Sequence, residues 1–386
     1  MPITGIICEY NPLHLGHKKQ LDWIRQQYPE DLIVCLMSGN FVQRGMPAIT
    51  HKMTRAKAAI LSGADLVLEL PVTAALSSAE GFAAEGVRIL SGFCQRLCFG
   101  AETGDVESLM ATARALLSEE FPGLLKQQLE TGCSFPAARQ AALEQMGLSG
   151  SLLAKPNDIL AVEYCKAILA QGSGLEPLVI RREGNYHDTA TDEQNPSATA
   201  VRQLMLQTGA WLDYIPENAR ECFRDAQLHT MAAGERAVLA RLRTMTDGEF
   251  QQLPYGSEGL WRKLMKACRQ ESTLEQILTA VKSKRYTRTR LDRMVLCAFL
   301  GLSQTDLAKP APYTRVLALN DRGRQILNKA RLSGQFPNIG QQLDDPWQEL
   351  ETRCGRLYGL FAHQDPEPPD AEQALRLYYH PQERET

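Results

Sequence analysis

Through the first half of the chain, short apolar runs alternate with stretches of helical periodicity. Ile3–Cys8, Leu32–Met37, Leu66–Leu70, Arg96–Phe99 and Leu178–Arg182 read as strands. Leu15–Gln27, Thr54–Ser62, Ser77–Ser91 and Ile159–Leu169 read as helices, the last opened by Lys155-Pro156-Asn157-Asp158, and Glu107–Gln145 is mostly helical. Short apolar strands separated by longer helices predict a parallel α/β sheet wound by right-handed crossovers. After Gln203 the character changes. Helical periodicity dominates Leu204–Leu302, with breaks at Pro216 and Leu253–Ser257. Arg315–Asn320 is a late strand followed by a helix from about Arg322, and the acidic, proline-bearing His363–Asp370 predicts a loose connector to a terminal helix. These changes place a domain boundary near residue 205, giving an α/β unit over 1–205 and a mainly α-helical C-terminal unit over 206–386. No internal repeat is visible.

Open parallel sheets gather ligands at the carboxyl ends of their strands. That rule brings Tyr10–His17, Ser38–Gly45, Pro71 and Gly100–Glu102 to one cleft. The most informative of these segments joins the first strand to the first helix through Tyr10-Asn11-Pro12 and His14-Leu15-Gly16-His17. The first N–H groups of a helix lack intrahelical partners and carry the positive end of its dipole, which makes an anion site. Residues three apart share a helical face, so both imidazoles stand near that end, and Gly16 leaves the backbone open to a phosphate or flat group. Two donors, a bare backbone position and a dipole suit a nucleotide whose α-phosphorus is under attack. In isolation such a pair would more often be a solvated helix face or half a metal site; its position after a strand at the chain start favours the nucleotide.

A second cluster follows the strand Leu178–Arg182. Ser197 is a candidate N-cap, and Ser197, Thr199 and Arg202 would offer neutral and charged donors to the β- and γ-phosphates.

Composition narrows the class. The chain has 386 residues, 44% hydrophobic and 23% charged, with a net charge of −3. It has ample material for a core and an ordinary globular make-up. No apolar run reaches membrane-spanning length and Met1–Thr4 begins a strand, so a cytoplasmic location with no membrane partner is expected. The ten cysteines are scattered through apolar stretches, as reduced core thiols are. Cys94 and Cys98 lack a matching pair for a zinc set, so no protein-held metal is expected. A nearly balanced charge means that any nucleic-acid contact must come from local basic patches.

His-x-Gly-His after the first strand, with Ser-x-Thr-x-x-Arg about 180 residues later, resembles the adenylyl-transferring superfamily that includes pantetheine-phosphate adenylyltransferase and class I aminoacyl-tRNA synthetases. Ser-Ala-Thr stands here in place of the more usual Ser-Ser-Thr. More narrowly, six segments resemble the bacterial tRNA(Met) cytidine acetate ligase family. They are Glu9–His17, Met37–Gly45, Gly63–Pro71, Phe99–Glu102, Lys155–Asp158 and Gly184-Asn185-Tyr186-His187-Asp188, with Arg285–Arg290 adding a weaker match. The resemblance implies a Rossmann-like parallel sheet wrapped by helices, of the HxGH nucleotidyltransferase type. It implies an ATP-dependent ligase that activates acetate as acetyl-adenylate, releases pyrophosphate and acetylates N4 of the wobble cytidine in elongator tRNA(Met), with no protein partner implied. The ATP site would comprise Ile7-Cys8-Glu9-Tyr10-Asn11-Pro12-Leu13-His14-Leu15-Gly16-His17-Lys18-Lys19-Gln20 together with Gly100, Asn157, Arg182, Ser197, Thr199 and Arg202. His14 and His17 would be catalytic, Lys18 or Lys19 would lie near the leaving pyrophosphate, and Mg²⁺ would ride on ATP, since no carboxylate pair forms a metal cage.

The remaining features are less decisive. Asn40, Gln43 and Arg44 divide evenly between substrate contact and loop-internal hydrogen bonds. Lys52, Arg55 and Lys57 read as a solvated face. Tyr186-His187-Asp188 either supplies a base for the cytidine amine or pins the loop after its strand, the positioning role being favoured because an acyl-adenylate is already reactive, and His51, His229, His363 and His380 would be ordinary surface or core residues. Lys282–Arg290 carries five basic residues in nine, among them Lys284, Arg285, Arg288 and Arg290, with Tyr286 for stacking and Arg293 following. Such a run suits RNA, with a solvated helix end as the alternative; Arg262, Lys263 and Lys266 would extend it. Two other functions stay open: a small-molecule adenylyltransferase, and a non-catalytic RNA-binding protein on the same fold.

Overall fold

The computed structural model describes residues 1–182, 197–207, 209–283, 285–329 and 336–381. Lys284 and the 184–188 segment lie outside them.

Strand β1 (Ile3–Cys8) leads through a tight loop into helix α1 (Leu15–Gln27), and β2 (Leu32–Ser38) follows. A two-residue hairpin, β3 (Phe41–Val42) and β4 (Met46–Pro47), precedes α2 (Lys52–Leu61). The sheet continues with β5 (Leu66–Leu70), β6 (Arg96–Ala101), β7 (Glu176–Arg181), β8 (Val316–Asn320) and β9 (Tyr378–His380). Its order is β7-β6-β1-β2-β5-β8-β9. The five strands that the first half gives this sheet, β1, β2, β5, β6 and β7, are mutually parallel, and β2 and β5 are buried throughout, as strands covered by helices on both faces must be.

The chain runs outward from β1 through β2 and β5, then returns to place β6 and β7 on the other side. The strand order therefore reverses between β1 and β6, where an open sheet leaves a crevice at its carboxyl edge.

The second half supplies the helical core, built on 231–244, 260–270, 274–281, 288–300 and 346–358. It also supplies two sheet strands. β8 is antiparallel to β5, and β9 pairs parallel to β8. The expected terminal helix is corrected to a short helix at Ala371–Ala374 followed by β9, because the exposed main chain of β8 offers a pairing edge that the local sequence does not reveal. Phe41 of the hairpin joins the helical core, edge-on to Tyr358 at 5.8 Å and Phe361 at 6.0 Å.

The solvated face expected for Lys52 and Arg55 is also corrected, for both side chains are buried. Lys52 pairs with Glu69 at 2.9 Å and with Glu372; Arg315 binds the same two carboxylates and lies 3.6 Å from Glu351. The Arg55 guanidinium donates to the carbonyls of Glu9, Ser38, Gly39 and Thr50, tying together the carboxyl ends of β1 and β2. Buried charge is tolerable only with such partners.

Candidate active site

The crevice at the carboxyl edge holds a cavity of about 260 Å³. Ile7, Cys8, Glu9, Tyr10, Asn11, His14, His17 and Gln20 line it from β1, its loop and α1. Gly100, Asn157 and Arg182 line it from the β6 side, and Ser197, Thr199 and Arg202 complete the lining beside the β1–α1 loop. Segments far apart in sequence thus meet at one place. Pro12, Leu13, Leu15, Gly16, Lys18 and Lys19 do not face the cavity. Leu13 is in the core, and Lys18 pairs with Asp22 on its own helix.

The two histidines shape the start of α1. His14 is the N-cap, its Nδ1 accepting the Gly16 N–H at 3.1 Å, while the His14 N–H donates to Nδ1 of His17 at 3.3 Å. This reciprocal arrangement is a capping box built from imidazoles. The rings stack with centroids 3.8 Å apart. A backbone N–H can only donate, so both Nδ1 atoms carry lone pairs, and each neutral ring bears its proton on Nε2. Burial and the neighbouring His17, Arg182 and Arg202 hold His14 well below its ordinary pKa; burial and Arg182 bring His17 to about 3. Both rings are therefore neutral donors at neutral pH. Among the described residues nothing partners the buried Nε2 of His14, a state that costs free energy unless a ligand oxygen accepts from it.

Around the histidines the groups suit an anion. The N-termini of α1 and of helices 156–170 and 198–206 all border the cavity. Ser197 caps the last of these at Ala200 N, 3.1 Å away. Arg202 donates to Asn11 O at 2.6 Å and to Thr199 Oγ1 at 3.1 Å. Glu102 accepts from Asn157 Nδ2 at 2.7 Å and from the Asp158 N–H at 2.7 Å, so it orients Asn157 rather than facing a ligand. Arg182 reaches Asn157 Oδ1 at 3.4 Å and crosses Gly100 so closely that a Cβ there would meet its side chain at 3.0 Å.

The hairpin contributes Val42, Gln43, Arg44 and Met46 to the lining, and Phe82, Phe99, Leu160 and Tyr164 form an apolar wall. That wall has no sequence signal, since Phe82 and Tyr164 are indistinguishable from core residues of their helices. Gly45 seats the hairpin against the second half. Its φ is +80°, and a Cβ would strike the backbone of Arg293 at 2.4 Å. Arg293 donates to the Gln43 carbonyl at 3.1 Å.

Of the basic run, Arg285 pairs with Glu258, Arg288 with Glu275 and Asp292, and Arg290 donates to Tyr255 O and Ser257 Oγ. Among the described residues no group of three or more His, Cys, Asp and Glu side chains could hold a metal ion, and no helix is long and apolar enough to cross a membrane.

Comparison with known proteins agrees with this geometry. The model of the HIGH Nucleotidyl Transferase family matches residues 1–373. The tRNA(Met) cytidine acetate ligase of Clostridium novyi is 36% identical over 356 residues, 87% of this chain and 89% of its own. That of Anoxybacillus flavithermus is 33% identical over 402 residues, covering 99% of both. Among solved structures, apo Thermotoga maritima TmcAL superposes with a TM-score of 0.90 at 29% identity over 99% of this chain and 100% of its own. The same protein bound with alpha-thio ATP gives 0.86, also at 29% identity, over 98% and 100%. The chain belongs to the HIGH nucleotidyltransferase family and, within it, to the tRNA(Met) cytidine acetate ligases.

Proposed function

We propose that the chain binds ATP in the β1–β6 crevice, activates acetate as acetyl-adenylate and passes the acetyl group to N4 of the wobble cytidine of elongator tRNA(Met). The observation that carries this reading is the pair of neutral imidazoles, each held by its Nδ1 and presenting Nε2–H. As an acetate oxygen attacks the α-phosphorus, charge builds on the phosphate oxygens, and preformed donors stabilise it without reorganisation. Neutral rings suit the role, because they donate without also taking up the proton that would bind them to a resting anion. Arg182, Arg202 and the helix N-termini offset the charge of the triphosphate and of departing pyrophosphate. Mg²⁺ accompanies the triphosphate as part of the substrate, and the chain itself supplies positioning and electrostatics.

The second half would present the tRNA. Helix 288–300 begins with Arg288 and Arg290 and, three residues on, grips the hairpin through Arg293. Exposed pairs such as Arg285–Glu258 contribute little, about 0–1 kcal/mol, and can be exchanged for phosphate contacts. All ten cysteines are free thiols, consistent with the cytoplasm as the place of work.

Acetate-dependent exchange of labelled pyrophosphate into ATP tests the activation step. Exchange that requires acetate and disappears in His17→Ala supports the reading; AMP transfer that ignores acetate points to a small-molecule adenylyltransferase.

A further inference from the structure

The transfer step needs something the activation step does not. Cytidine N4 is an aromatic amine with a poorly available lone pair, and it must lose a proton as it becomes an amide. The histidines cannot take it, because each Nδ1 accepts a backbone N–H and each Nε2 already bears hydrogen. Burial pushes the Cys8 thiol and the Tyr164 phenol well above their ordinary pKa values, leaving both protonated. Among the described residues that line the cavity, Glu9 is the sole carboxylate.

Glu9 is held at two points. Its carbonyl accepts from Arg55 at 2.6 Å, and its Oε1 accepts the Gln43 N–H at 2.8 Å. No donor among the described residues reaches Oε2. The Gln43 carbonyl is in turn held by Arg293 of the second half. Glu9 therefore stands at the seam between the nucleotide crevice and the helices proposed to carry tRNA. A carboxylate there repels acetate and phosphate, so its natural partner is a hydrogen-bond donor, and a cytosine amine is such a group.

We infer that Glu9 is a catalytic residue of the transfer step, its Oε2 accepting an N4–H of the cytidine and taking that proton as N4 attacks. This rests on the proposed ligase reading. The N4 lone pair forms the new bond to the acetyl carbon. The bond from that carbon to the phosphate oxygen breaks, AMP leaves with the electron pair, and the proton passes from N4 to Oε2 and then to water. The same contact would disfavour uridine, whose O4 is an acceptor.

Hydroxylamine distinguishes the two steps, since it captures acetyl-adenylate as acetohydroxamate without a protein base. Acetyl-tRNA and acetohydroxamate are measured in parallel for the unsubstituted chain, Glu9→Gln and Glu9→Asp, each checked for native circular dichroism and melting. Gln retains an acceptor oxygen for Gln43 N–H. For Glu9→Gln, the ratio of acetyl-tRNA to acetohydroxamate should fall about a hundredfold or more, the usual contribution of a general base. Glu9→Asp should fall between, and it alone suffices if the Gln variant does not fold. A ratio unchanged in the variants overturns the inference; if Glu9 instead reads the adenine amine, both products fall together and the ratio stays put. An unsubstituted chain that forms neither product contradicts the ligase reading, a distinct result.

Discussion

Arg202 donates from Nη1 to the main-chain carbonyl of Asn11 at 2.6 Å, across 191 residues of sequence. One hydrogen bond thus locks helix 198–206 to the loop that delivers His14. The two motifs legible in the sequence are therefore halves of one wall. On the proposed reading, geometry at the α-phosphate depends on both.

The histidines do two jobs that substitution can separate. His17→Ala should retain the fold and lose about a hundredfold or more in acetate-dependent pyrophosphate exchange, as expected when a transition-state donor is removed. His14→Ala removes the N-cap itself, where His17→Ala removes only the returning bond of the capping box, and should cost about 1 kcal/mol of stability. His14→Asn keeps a capping oxygen, so it should melt near the parent temperature while remaining as inactive as His14→Ala. Near-normal exchange in folded His17→Ala contradicts the assignment.

Acid should destabilise the chain through one buried imidazole, His14, and two half-buried ones, His17 and His51. Folding brings His17 and His51 from 6.5 to about 3, and holds His14 well below 6.5. Their folded pKa values are depressed, so the unfolded chain binds protons that the native one does not. Stability is then full above about pH 6.5 and is lost as pH falls toward 3, by up to about 1.4 kcal/mol per pH unit for each ring. His51 caps α2 at Met53 N and lies outside the cavity lining. His51→Asn keeps that cap, and urea midpoints between pH 7 and 5 should decline less steeply in this variant; an identical decline argues against the effect.

The buried ion network joins the sheet to the C-terminal segment. Lys52→Ala leaves Glu69 and Glu372 short of a cation, and breaking such a pair typically costs about 3–5 kcal/mol. Chemical denaturation should register that loss. A change below about 1 kcal/mol would return Lys52 to the solvated face its sequence suggests.

Changing Arg285, Arg288 and Arg290 together to Ala should weaken tRNA binding and flatten its logarithmic salt dependence by roughly 0.7–0.9 for each phosphate no longer neutralised. Acetate-dependent pyrophosphate exchange should survive, since none of the three lines the cavity. Unchanged affinity and slope would move the tRNA site toward Arg44 and the hairpin.

The five parallel strands and the places of His14, His17, Gly100, Ser197, Thr199 and Arg202 were legible because apolar runs, strand ends and helix starts are local signals, whereas Asn157 and Arg182 entered only through the family resemblance. What escaped depends on distant partners. Lys52 reads as surface charge until Glu372, 320 positions away, is placed beside it. β9 reads as part of a helix until β8 offers it an edge. The β3–β4 hairpin is too short to carry a pattern, yet it brings Gln43 to Glu9. The carboxylate inferred to serve the transfer step lies inside the first motif, but nothing in a sequence says which way its second oxygen faces.

The most direct measurement incubates the chain with ATP, labelled acetate and bulk bacterial tRNA, then separates the nucleosides by liquid chromatography and mass spectrometry. The account predicts label in N4-acetylcytidine, carried by elongator tRNA(Met), with one AMP and one pyrophosphate released per acetyl group transferred. RNA that stays unlabelled while the chain remains folded and binds ATP, or AMP transferred to an acceptor without acetate, would contradict it.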